Sequence, residues 1–111
     1  MSTLTDLKIP LSALEFASDG TAHARADDWS PTQIGVLLQT TIEHAAQNAL
    51  DGQSLHVVSV TFDVSADAVS GKEIQFRSRI DRKTRTLIFA SGLASQGDDH
   101  LLKATVVFRL S

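Results

Sequence analysis

The feature that most constrains this chain is one helical pattern of 17 residues, Ile34 to Leu50, followed by segments in which apolar residues recur at every second position as far as Leu110. Projected at ~100° per residue, Leu37, Thr41, Ile34, Ala45, Leu38, Ala49 and Ile42 share one arc of about 140°. Gln39, Glu43 and Gln47 form a stripe on the opposite side. Ser30 suits the N-cap, Pro31 the first helical position, and Asp51-Gly52 the exit. Alanine and threonine inside the apolar arc imply close packing, as when a sheet curls round a helix.

The alternating segments read as strands. Val58, Val60, Phe62 and Val64 share one face of the first. Ile74, Phe76, Ser78 and Ile80 share one face of the second, with Glu73, Gln75, Arg77, Arg79 and Asp81 on the other. Leu87, Phe89, Ser91 and Leu93 lie along the third. Leu102, Ala104, Val106, Phe108 and Leu110 line the last, with Lys103, Thr105 and Arg109 facing out. The corner at Arg82-Lys83-Thr84 and the connection Gln96 to Asp99 are hairpin-length. Before the helix, Ala13 to Phe16 and Thr21 to Ala26 are short extended pieces joined by the turn Ser18-Asp19-Gly20. The expectation is an α+β domain: one strand, the helix, then a four-strand meander, giving a five-stranded antiparallel sheet wrapped round one central helix. Thr86, Ile88, Ala90, Gly92 and Ala94, opposite Phe89, are expected to form an outward apolar face that meets a partner.

A chain of 111 residues holds one domain, here residues 1–111, with 1–11 expected as a flexible lead-in. A net charge of −3 argues against wholesale nucleic-acid binding. The absence of cysteine excludes disulfides, thiolate metal sites and a cysteine nucleophile. His23, His56 and His100 lack metal-ligand spacing, and no G-x-S-x-G elbow supports a serine triad. With no signal-peptide pattern and no apolar run of membrane-spanning length, the expectation is a cytoplasmic protein without membrane partners.

The stretch Asp19 to Ala26 followed by Asp28-Trp29, the helix opening Ile34-Gly35-Val36-Leu37-Leu38, the strand Val58 to Asp63 with Gly71-Lys72-Glu73-Ile74, the basic hairpin Arg79 to Thr86 and the closing strand Leu102 to Phe108 together resemble thioesterase-like hotdog domains. The likeness runs over roughly residues 13–110 and lies in faces and turns. It implies the hotdog fold, an acyl thioester of coenzyme A or acyl carrier protein as ligand, no further cofactor, and pairing into a homodimer or tetramer with sites between subunits. The chain departs from the resemblance at two places. Many such domains carry His-Gly-Gly at the helix start, where this one reads Gln33-Ile34-Gly35. Many place an acid about two turns along, and Glu43 comes one position late, ~100° round the helix.

Thioester hydrolysis needs a polarised carbonyl and an activated water or a carboxylate nucleophile. The helix start offers unpaired N–H groups, and Gly35 would let a carbonyl approach them. Glu43, the only carboxylate in the helix, is the candidate base or nucleophile, with Asp63 at a strand end as the second acid. Gln33, Gln39 and Thr40 are candidates for orienting water or holding the thioester oxygen. His44 is a further base candidate. Arg77, Arg79, Arg82, Lys83 and Arg85 place half of the ten basic residues within nine positions. Of these, Arg82, Lys83 and Arg85 are the candidates for gripping ligand phosphates. Each has a plainer reading: Glu43 as part of a solvated stripe, His44 as a partly buried structural residue, Asp63 as a strand-ending acid, and the basic run as a charged edge that resists aggregation. Two functions therefore stand side by side, an acyl thioesterase and a non-catalytic hotdog binding or assembly module.

Overall fold

A computed structural model describes residues 7–111. After a short 3₁₀ turn at Leu11–Ala13, the elements are β1 (Glu15–Phe16), β2 (Ala22–Arg25), α1 (Pro31–Asn48), β3 (Leu55–Val64), β4 (Glu73–Lys83), β5 (Leu87–Gln96) and β6 (Asp99–Leu110). All strands join one antiparallel sheet in the order β1-β2-β4-β5-β6-β3, with α1 packed on one face.

The expected α+β plan is therefore present, with six strands instead of five. Both extended pieces before the helix form strands, because Asp19 accepts hydrogen bonds from the Thr21 backbone N–H (3.0 Å) and hydroxyl (2.6 Å) and folds the turn back. The four strands after the helix are not a simple meander. Only β4-β5-β6 run consecutively, and β3 lies beyond β6 at the sheet edge. The connection from Ser65 to Lys72 crosses from that edge to β4, and is too long for a tight hairpin.

Helix α1 starts as its residues dictate. Ser30 Oγ accepts from the Gln33 N–H (3.3 Å), while Gln33 Oε1 accepts from the Ser30 N–H (2.8 Å), a reciprocal capping box ahead of Pro31. Gln33 Nε2 also donates to the Lys8 carbonyl (2.8 Å), and Ile9 packs against the core, so this part of the lead-in lies on the domain. The first six residues of the expected flexible stretch lie outside the described ones. The buried helix residues are Ile34, Gly35, Leu37, Leu38, Thr41, Ile42 and Ala46. Gly35 and Ala46 thus join the apolar side and Ala49 leaves it, a rotation towards the β3 edge.

The core opposite the helix comes from alternate residues of four strands: Ala22 and Ala24, Ile74 and Phe76, Ile88, Ala90 and Ala94, and Leu102 to Phe108. This overturns the expected outward face on β5. Ile88 and Ala94 have no exposed surface and Ala90 has 1%. The small residues lie under the helix, where a Cβ on Gly92 would sit 2.9 Å from the Ile42 side chain. Helix and sheet approach too closely there for larger groups. Leu87, Phe89, Ser91 and Leu93 face away from the helix instead, as their register with the outward Arg109, Val107, Thr105 and Lys103 requires.

Candidate functional site

The helix presents two flanks to the sheet. Gly35 meets the β3 edge, and its Cβ position lies 3.0–3.2 Å from the Phe62 ring. At ~100° per residue, Gln39 and Glu43 follow Gly35 in steps of ~40° on the same flank. Both are half-buried, and Gln39 Nε2 donates to Glu43 Oε1 at 3.1 Å. A half-buried carboxylate bonded to a neutral amide has the functional group that a general base or a carboxylate nucleophile requires. The other flank carries His44, which is exposed and stacked on Phe16 of β1 with ring centroids 4.1 Å apart. The histidine thus pins β1 to the helix, away from Glu43.

The remaining candidates divide. Asp63 pairs in register with Lys103, while its neighbour Phe62 pairs with the buried Ala104. Strand alternation therefore puts Asp63 on the face opposite the helix, and the two acids do not converge within the chain. Gln33 is fully engaged by Ser30 and the Lys8 carbonyl. Thr40 Oγ1 donates to the Val36 carbonyl (2.8 Å), a helix back-bond that occupies the hydroxyl proton. The space beside Gly35 is filled by Phe62. Pro31 has no N–H, the Gln33 N–H is capped and the Ile34 N–H reaches the Ser30 carbonyl (3.1 Å), so Thr32 offers the one unpartnered first-turn donor among the described residues.

The basic run is also divided. Arg82 pairs with Phe89 on the outer face and holds its guanidinium 6.0 Å from that ring's centroid. Lys83 pairs with the buried Ile88, on the helix side, and Arg85 sits exposed in the hairpin turn. Asp81, at a β-bulge between Ile80 and Arg82, accepts from Arg79 Nε at 2.7 Å. Arg77 and Arg79 belong instead to an outer-face cleft shared with His100 and Lys103. The sequence reading missed the latter two as site residues, although the outward parity of Lys103 was legible and its register against β5 supplies the rest.

No family model matches the chain, and no curated protein matches it by sequence. Solved structures do. A zebra fish thioesterase superfamily member 2 superposes with a TM-score of 0.82 at 14% identity, over 90% of this chain and 83% of the other. A putative thioesterase, a phenylacetic acid degradation-related protein of Ralstonia eutropha, gives 0.76 at 18% identity over 93% and 92%. A Bacillus halodurans protein solved with coenzyme A gives 0.75 at 15% over 88% and 71%. The chain has the hotdog fold of thioesterase-like proteins. Among the described residues, no helix is long and apolar enough to cross a membrane.

Proposed function

We propose that this protein is a thioesterase-like hotdog that takes an acyl thioester, of coenzyme A or an acyl carrier, beside the Gln39–Glu43 stripe of α1, on the side of the helix where Gly35 meets the β3 edge. Glu43 serves as base or nucleophile. Two copies pair through β3, so each site lies between subunits. The carrying observation is the half-buried Glu43, bonded to Gln39 on the flank that also holds Gly35 against Phe62. The structural neighbour solved with coenzyme A supports the ligand class.

A specific observation favours the alternative, a hotdog that binds the thioester without hydrolysing it. The capping box occupies Gln33 and leaves one free first-turn N–H, at Thr32, to polarise a carbonyl. Thiol release from a panel of acyl-CoAs separates the two. For a hydrolase, Glu43→Gln is expected to cut turnover at least ~100-fold, the scale of losing a base or nucleophile, with acyl-CoA binding retained. Asp63→Asn, on the opposite face, is expected to change little. Equal rates in wild type and Glu43→Gln would remove Glu43 from the chemistry. Binding without release from any thioester would establish the non-catalytic reading.

A further inference from the structure

The outer face of the sheet, away from the helix, carries a second concavity. It measures about 390 Å³, within the size range of small-molecule sites. Arg77 and Arg79 come from β4, Ser91 and Leu93 from β5, and His100 and Lys103 from β6. The register explains their convergence. Arg77, Leu93 and Lys103 lie in one row across three strands, Arg79 is opposite Ser91, and His100 is opposite Ser95. Two strand spacings put the cationic rows ~10 Å apart at the backbone, so their long side chains rim the small Ser91 from both sides. No acid lines the cleft.

Three cations of a chain with net charge −3 share this cleft, while the carboxylates near them stand at its margins and not in its lining. Arg77 and Lys103 have no ion-pair partner among the described residues, and Arg79 engages Asp81 only through Nε, leaving its terminal nitrogens to donate. We propose that this cleft is a second binding site, which takes the phosphate group of a small organic phosphate monoester. Arg77, Arg79 and Lys103 grip the phosphate oxygens, the Ser91 hydroxyl on the floor adds a neutral donor, and Leu93 contacts the organic part. The surroundings confine the ligand to this size. Asp19 lies near enough to Arg77 for the guanidinium to help lower its pKa, Glu73 follows on the same face of β4, and Asp63 lies opposite Lys103. A long polyanion such as a nucleic acid would run from the cleft onto carboxylates on both sides.

The site lies across the sheet from Glu43, so it stands or falls apart from the thioester reading. Phenyl phosphate is the probe, followed by amide NMR shifts and calorimetry on the full chain. Saturable binding is expected, with shifts at Arg77, Ser91, Leu93 and Lys103. Affinity should fall at least tenfold in Arg77→Glu and Lys103→Glu but hold in Lys72→Glu, an equal charge change on an exposed lysine outside the cleft. Arg77→Gln and Lys103→Gln, with thermal melts, repeat the test with smaller perturbation. Coenzyme A and its 3′-dephospho form separate two sources of the group. The same shifts with the former alone assign the site to the 3′-phosphate of coenzyme A, whereas shifts with phenyl phosphate and neither of these assign it to an independent metabolite. Inorganic phosphate binding as well as phenyl phosphate would remove the role of Leu93 and the monoester specificity. Absence of saturable phenyl phosphate binding, or equal weakening in Lys72→Glu and Arg77→Glu, overturns the site.

Discussion

Gly92 and Gly35 are both glycines under the helix–sheet contact, yet they meet different neighbours. A methyl on Gly92 would sit 2.8 Å from the Arg77 carbonyl oxygen and 2.9 Å from Ile42, backbone on one side and a core side chain on the other. Neither can yield cheaply. The nearest neighbours of a methyl on Gly35 would be atoms of the Phe62 ring, at 3.0–3.2 Å, a partly buried side chain on the edge strand and not backbone. Alanine at position 35 also recovers ~1 kcal/mol of helix propensity. Gly92→Ala is therefore expected to destabilise by ~1–3 kcal/mol, the range for overpacking, and Gly35→Ala by clearly less. Urea denaturation of the two variants checks the order, and equal midpoints would refute the account of β5 as the close-approach strand. Ser78, in register with Gly92, has a buried hydroxyl without a partner among the described residues.

At the scale of elements, the β1–β2 turn links sequence to acid stability. Asp19 accepts two hydrogen bonds from Thr21, and these, with a smaller contribution from Arg77, hold its carboxyl below the usual aspartate range. A carboxyl whose folded pKa is depressed adds stability above its unfolded pKa and loses it as pH falls through the folded one. Wild type is thus expected to melt above Asp19→Ala near neutrality, with the gap closing below the carboxylate range. A gap that persists in acid would mean that the carboxylate charge plays no part. The legibility of elements follows the same local logic. Ser30, Pro31 and the 3.6-residue period announced the helix, because capping and amphipathicity are written in adjacent residues. β5 was misread because Phe89 and Leu93 look more like core than Ala90 and Gly92 do. Which side of a strand is buried depends on how close the helix comes, and that distance is set by Ile42 from another element. The β3–β6 pairing has no local signal either. The geometry of the candidate site was legible in part: Glu43 and Gln39 share a flank as their spacing implies, whereas the opposite face of Asp63 and the capping role of the Gln33 side chain needed the register and the cap.

Across the whole molecule, the unfinished surface is the outer edge of β3. Nine of its ten residues pair with β6, all but Val58 at a bulge, and on one side only among the described elements, and Val57, Val58 and Val64 are 41%, 53% and 55% exposed. An apolar open edge of that length is a template for another strand. The expected partner is β3 of a second copy, since a two-fold axis lets the same edge serve both subunits. The route to a tetramer through Ile88, Ala90 and Ala94 is closed, because those residues are in the core. The outer face that remains carries Arg77, Arg79, Arg82, Lys103 and Arg109 against the fewer acids Glu73, Asp81 and Asp63, so two such faces placed back to back would bring an excess of positive charge together. Light scattering at micromolar concentration and low salt is therefore expected to give twice the 12.0 kDa chain mass and not four times. Val58→Lys with Val64→Lys puts charge on the edge at exposed positions, and should yield a folded monomer. In a hydrolase whose site spans two subunits, that monomer should also lose turnover. A wild-type monomer would refute the β3 pairing, and a low-salt tetramer would refute the charge argument against stacking.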